Sequence, residues 1–429
     1  MKRDEFARLY GPWLAFLIAA AAYFPRFAQD SSGLLYRHAG ECLLQQQVLQ
    51  ACSPSFTYPP AFAFAMIPLA WLPEGMWNVV WYLITLAATV LSYRLAEALA
   101  LRLVPGPWKP AELAKLRIIS LLLSLKFILA VYENQAYDLF VLPLTLFGLL
   151  CLVEKRDATA GASLALAAAL KAMPLIFLPY LLLRRRFVGA AVFIVVLVGA
   201  SFLPDMFLTP QGAASGYFAT WLRDIAGGAL LEHMGAGQAG FWAGANYLNH
   251  SIYGAIARLV DATSYQGDFL VILRAAQVAF AGLLAVLLIV SARRESTIPV
   301  DGSLLIIAML MLSPMTSRSH YATLILPYTV IVAYWRRDRR TRLLGTLVLG
   351  TSFVLATATS GDFVGKAMTD WAYRTSHIEL GTLALIVYLA AIIWNSRREG
   401  AYLAAGGNQS VAEFDPGGDG SLPARNDAQ

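Results

Sequence analysis

Four positions carry charge or acid–base chemistry where the surrounding residues are apolar or closely spaced. They are Asp30 in "RFAQDSSGLLYRHAG", Lys171 in "LALAAALKAMPLIFLPYLLLRRR", and Arg318 and His320 in "LSPMTSRSHYATLILP". A lysine at the centre of a bilayer-spanning helix costs about 2.5–3.5 kcal/mol on insertion scales, so Lys171 needs something to offset it. Two cations suit an oxyanion such as a phosphate, and a carboxylate suits removal of a proton from a hydroxyl. Each position also has a plainer use. Asp30 fits the N-cap of a helix opening at "SSGLLYRHAG", Arg318 and His320 fit side chains snorkelling at an interface, and Lys171 fits a cation at a helix break.

The elements that must hold these groups are membrane helices. Of the 429 residues, 58% are hydrophobic and 14% charged, against roughly 25% charged in soluble domains. The apolar residues fall in blocks of membrane-helix length, which gives an all-α polytopic membrane protein and excludes a soluble enzyme. The net charge of +6 sits in short loops, where it reports orientation and not nucleic-acid binding. The first apolar block, 13–24, lacks a small-residue cleavage site and reads as a signal anchor. Cys151 lies in an apolar helix. Cys42 and Cys52 can pair if their segment faces an oxidising compartment, but only across a bend, because ten residues of helix span about 15 Å.

Loop charges set the topology. Lys2, Arg3 and Arg8 place the N-terminus in the cytoplasm, and the basic loop 102–117 belongs on the same side. That requires one of the two apolar runs before it not to cross. The proline-rich "YPPAFAFAMIPLAWLP" is the shorter, so it belongs at the outer interface. "EKRD" at 154–157 and "RRR" at 184–186 also want the inner side, so the run between them must be two half-helices hinged at "KAMP". With 13–24 and 76–97, alternation then gives spans at 116–131, 137–153, 187–204, 269–292, 302–315, 321–335, 342–359 and 378–394, about twelve membrane helices with the halves counted. The outer loops are 25–75 and 205–266, with 34–50 an amphipathic segment lying on the membrane and 360–377 a short loop. Residues 1–400 form one domain, and 401–429 a cytoplasmic tail whose Gly, Asn, Asp and Ser content favours disorder.

Polar residues without an orientation role collect on the outer side. They include Asp30, Tyr36, Arg37, His38, Glu133, Asn134, Gln135, Asn246, Asn249, Arg258, Arg318 and His320. A transporter would instead place polar groups at mid-membrane in two similar halves, and no internal repeat is visible. There is no zinc-ligand spacing, phosphate loop, Gly-x-Ser-x-Gly or Asp-x-Asp pair, so neither a metal ion nor a cofactor is expected.

Six blocks in order resemble glycosyltransferase family 87, the polyprenyl-phosphate-sugar-dependent transferases of the GT-C fold. They are Asp30 with "YRHAGECLL", "YPPAFAFAMIPLAWLP", "ENQAYDLFVLPL", "AGASLALAAALKAMPLIFLPYLLLRRR", "NHSIYGAIARL" and "LSPMTSRSHYATLILP". The resemblance implies a catalytic aspartate in the first outer loop, here Asp30, and a long outer loop after the seventh membrane helix, here 205–266. Where the family usually carries Trp and a His pair, this chain has Ser317 and Ser319 before His320; where it usually reads Gly-Gln, Asn134-Gln135 stands. Members resembling this chain mostly transfer mannose, and some relatives transfer arabinose.

The expectation is therefore transfer of a hexose, most simply mannose, from a polyprenyl phosphate to a hydroxyl of a glycolipid, glycan or other acceptor. The site would face the outside of the inner membrane, with both termini cytoplasmic. Asp30 would be the general base, and Lys171, Arg318 and His320 would hold the leaving phosphate. Tyr36, Tyr58, Asn134, Gln135, Asn249 and Arg258 would touch sugar or acceptor. The rival expectation is a lipid-sugar flippase that breaks no bond.

Overall fold

The computed structural model describes residues 3–29, 32–212, 214–227, 246–263 and 267–407. Asp30 and residues 408–429 of the expected tail lie outside them. Among the described residues all regular structure is helical.

Helix α1 is Arg3–Phe27, followed by α2 (Leu34–Leu44), α3 (Leu49–Cys52), α4 (Pro60–Ala70), α5 (Glu74–Leu103), α6 (Pro110–Glu133) and α7 (Asp138–Val153). Then come α8 (Asp157–Leu170), α9 (Phe177–Leu183), α10 (Phe187–Phe207), α11 (Tyr217–Trp221), α12 (Ile252–Thr263) and α13 (Phe269–Ser291). The chain closes with α14 (Ile298–Leu312), α15 (Ile325–Arg337), α16 (Arg342–Ser352), α17 (Gly361–Arg374) and α18 (His377–Gly407). Five described helices are long and apolar enough to cross a membrane: Glu74–Leu103, Phe187–Phe207, Phe269–Ser291, Glu295–Leu312 and His377–Ser396. Five shorter apolar helices accompany them, among them Pro60–Ala70 and Asp157–Leu170. At 11 residues α4 is about 16 Å long, half of a hydrocarbon core of about 30 Å.

The run through Lys171 is broken as the loop charges require. α8 ends where Lys171 turns extended (φ −147, ψ 119), Met173–Ile176 makes a 3₁₀ turn with Pro174 in its first turn, and α9 continues from it. At the corner between α9 and α10, Arg186 reaches back to Asp157 at the start of α8, 3.2 Å away. The two halves thus return the chain to the end it left. α10 then packs against α8 so closely that a methyl on Gly161 would overlap the Gly189 carbonyl oxygen.

The basic loops gather at one end of the bundle. Arg102 pairs with Glu154 (3.0 Å), Arg337 lies over Trp108 (4.4 Å) and near Glu112 (3.7 Å), and Arg184 donates to the Arg294 carbonyl (2.6 Å). Beneath them Arg184, Tyr180 and Ser291 converge on the carboxylate of Asp301, which is fully buried.

The opposite end holds the polar segments. α2 and α3 are joined by a Cys42–Cys52 disulfide with Cα atoms 6.0 Å apart. The bend that permits it includes Gln46 in the left-handed region (φ 53), so 34–50 is two helices and not one flat amphipathic segment. α2 turns Tyr36, Ala39, Gly40, Cys42 and Leu43 inward, with Gly40 against the Met66 backbone. Closing so short a loop is worth about 2–3 kcal/mol by chain entropy. Reduction with a phosphine is expected to lower the melting temperature of the wild type, and to leave a Cys42→Ser/Cys52→Ser variant unmoved from its already lower value. Two further expectations change. Within 360–377, Gly361–Arg374 forms α17, kinked at Gly365 (φ 76), in place of a short loop, and α18 runs across the boundary drawn at residue 400.

Candidate functional site

α6 ends at Glu133 and α7 begins at Asp138, so the short turn between them faces the polar end. Glu133 accepts from Arg318 (2.8 Å) and Tyr23 (3.2 Å), and lies 3.6 Å from Arg26. These groups wall a cleft of about 280 Å³ lined by Arg26, Lys126, Leu129, Glu133, Arg318, Ser360 and Gly361. The C-terminus of α1, the last two turns of α6, the 3₁₀ turn Arg318–Leu324 and the start of α17 build it.

Gln135 joins this cleft to the segment that contains Asp30. Its Nε2 donates to the Phe27 carbonyl (2.9 Å) and its Oε1 accepts from Gly33 N (2.9 Å). One buried amide therefore ties together both ends of the 27–33 segment. Trp81 fixes the Gln135 carbonyl in turn (2.9 Å), and Gly33 has no room for a side chain against the amide. Gly33 is also the N-cap of α2, without a side-chain hydrogen bond, so the capping position is not Asp30. Gln135 was expected to touch sugar, but its amide is spent on backbone. Asn134 is exposed beside it and folds back onto the Ala130 carbonyl (2.9 Å).

Lys171 found a protein partner. Its Nζ lies 2.6 Å from Asp138 Oδ1, both side chains being buried, and 4.8 Å over the Tyr137 ring. The pair opens on a cavity of about 20 Å³, lined also by His320, Thr323 and Met309, which is the space of a single water. His320 Nδ1 meets the Ser317 hydroxyl (2.7 Å) and backbone N–H (3.2 Å). Burial pushes its imidazole down to about 4, so it is neutral and accepts from Ser317 N. The three expected phosphate ligands are thus divided: Arg318 faces the cleft, while Lys171 and His320 face the small cavity. Tyr36 and Tyr58 pack edge to face, 5.9 Å apart, and both meet Tyr137 (5.5 and 4.6 Å). Burial raises both hydroxyls above the ordinary tyrosine value.

Residues 56–314 match the sequence profile of glycosyltransferase family 87, well over half of the chain. The chain belongs to glycosyltransferase family 87. It is 26% identical over 275 residues to the polyprenol-phosphate-mannose-dependent alpha-(1-2)-phosphatidylinositol pentamannoside mannosyltransferase of Mycobacterium tuberculosis (strain CDC 1551 / Oshkosh). That match covers 63% of this chain and 56% of the relative. No solved structure matches. The family match takes in Glu133, Gln135, Asp138 and Lys171, while Asp30, Arg318 and His320 lie on either side of it.

In this family member the expected sugar contacts Asn249 and Arg258 brace the turn that carries Arg318. Asn249 donates to the Pro314 carbonyl (3.0 Å) and accepts from Thr316 N (3.1 Å). His250 N donates to the Thr316 carbonyl (2.7 Å). Arg258 is buried and bonded to the Asn249 carbonyl (2.7 Å), Ser376 (2.7 Å) and Glu379 (2.6 Å). Two residues were missed. Asp138 sits in "NQAYDLF" beside the turn, and its use as a counterion follows only from the fold. Lys126 lies within the apolar run "LLLSLKFILAV", the same anomaly that singled out Lys171.

Proposed function

We propose that the protein transfers a hexose, mannose, from a polyprenyl-phosphate donor to a hydroxyl of a glycolipid acceptor at the outer face of the cytoplasmic membrane. The observation that carries this reading is the cleft: cations facing one another across a space at the polar end, with both ends of the Asp30 segment tied by Gln135, two residues past the cleft's Glu133. The mannose donor and glycolipid acceptor follow the name of the mycobacterial relative.

Asp30 takes the acceptor's hydroxyl proton as its oxygen bonds to the anomeric carbon. The bond from that carbon to the phosphate oxygen breaks, and its electron pair stays on the phosphate. A single displacement of this kind inverts the anomeric carbon. The leaving phosphate is already anionic, so the step requires no general acid. Arg318 stabilises it from the cleft, and Lys171 and His320 act through the position of the turn behind it. The Cys42–Cys52 disulfide supports an oxidising, extracytoplasmic side for this end, and the basic loops support a cytoplasmic side for the other.

The test is turnover of a synthetic polyprenyl-phosphate mannose by the full chain in proteoliposomes. Release of free polyprenyl phosphate in step with mannosylated acceptor is the expected result. Movement of the intact lipid-sugar across the bilayer with no bond cleaved would make the protein a flippase and overturn the reading.

A further inference from the structure

Lys126 is a buried cation of a different kind from the rest. Its side chain emerges from the middle of an apolar run in α6 and is 6% exposed. The buried cations Lys171, Arg184 and Arg258 each hold a carboxylate. Among the described residues Lys126 has none. It donates to the Ala356 carbonyl (2.9 Å) and the Thr359 hydroxyl (3.0 Å), both neutral, and stands 5.1 Å over the Tyr373 ring. An ammonium has three donors, so one remains for the cleft that Lys126 lines.

The cleft needs an anion more than its walls supply one. Arg26, Lys126 and Arg318 line it with a single carboxylate, Glu133, which Arg26 and Arg318 share. A lysine kept in an apolar span without a counterion is costly, and a polar cleft at its head is where that cost is offset by a ligand.

We propose that Lys126, with Arg318, binds the phosphate of the lipid donor and favours it most as a monoester, so that this cleft is the leaving-group site. The inference rests on the donor chemistry proposed above and goes beyond it in naming Lys126 and the charge state it favours. A lipid-phosphate-sugar is a diester with one negative charge. Cleavage of the sugar–oxygen bond leaves a monoester, which carries about 1.5 to 2. A cleft with an excess of cations over carboxylates stabilises the more highly charged monoester more than the singly charged diester, so it lowers the barrier and not only the donor's KM.

The experiment titrates the full chain in nanodiscs with farnesyl monophosphate, inorganic phosphate and farnesol. The wild type is expected to bind farnesyl monophosphate more tightly than either of the others. Lys126→Gln keeps a donor for Ala356 and Thr359 but has no charge. It is expected to weaken farnesyl monophosphate about tenfold or more, leave farnesol within about twofold, and lower kcat more than it raises donor KM. Arg102→Gln, at the far end of the bundle, is the control for bulk charge and should change neither affinity. Wild-type affinity for farnesyl monophosphate in Lys126→Gln, or in a Lys126→Met that loses only thermal stability, would reduce the lysine to a cap on Ala356 and overturn the proposal. Inorganic phosphate bound as tightly as the lipid would overturn the ligand class. Lys126-dependent binding of farnesyl monophosphate without any sugar transfer would support the cleft while removing the transferase reading. Normal transfer by Lys126→Gln would do the reverse.

Discussion

Asp30→Asn is expected to lower turnover by about 10²- to 10⁴-fold, the usual contribution of a positioned general base, with the donor KM near its wild-type value. The amide matches the carboxylate in size but cannot take a proton, so the acceptor hydroxyl must attack without assistance. The donor-phosphate contacts proposed for the cleft are those of Lys126 and Arg318, and the change at residue 30 leaves both in place. The base of its segment is held by Gln135 through Phe27 and Gly33, so the change should leave the segment anchored and the melting temperature unmoved. Wild-type kcat/KM should fall as pH drops into the carboxylate range, because protonation removes the base. The residual rate of Asp30→Asn should lack that limb. Turnover within a few-fold of wild type, or an unchanged acid limb, would take Asp30 out of the mechanism.

Much of the architecture was legible because it is written in charge. "EKRD" and "RRR" could share one side only if the run between them broke, and Lys171-Ala172-Met173-Pro174 is where it breaks. The prolines of "YPPAFAFAMIPLAWLP" shorten α4 as expected. The disulfide was legible as a possibility, since the bend it needs depends on Gln46 taking a left-handed conformation that nothing in its side chain demands. The site was legible less well, because a side chain's type does not say what it faces. Gln135, Asn249 and Arg258 are polar, close to the outer end and necessary to it, yet their donors and acceptors are consumed by backbone and by Glu379. Arg318 and His320 are two residues apart and face different cavities. The bilayer argument that marks Lys171 applies equally to Lys126 in "LLLSLKFILAV", two apolar runs earlier.

Lys171→Met is expected to be the most destabilising of these single changes, by about 3–5 kcal/mol, because it leaves the Asp138 carboxylate buried and unpaired. Asp138→Leu should cost a similar amount by stranding the ammonium beside Tyr137. The double variant Lys171→Met/Asp138→Leu removes both charges and places apolar groups against Val141, Leu142 and Met309, which already line the cavity. It should recover most of the loss, a coupling that denaturation of the four proteins in detergent measures directly. Losses that simply add would show that the two charges do not stabilise each other. The same cycle separates the lysine's two possible roles. If the ammonium touches the lipid phosphate, donor affinity falls in the double variant as far as in Lys171→Met. If its work is to hold α8 at its break against α7, affinity and turnover return with stability, since the cavity it faces has room for a water and not for a phosphate.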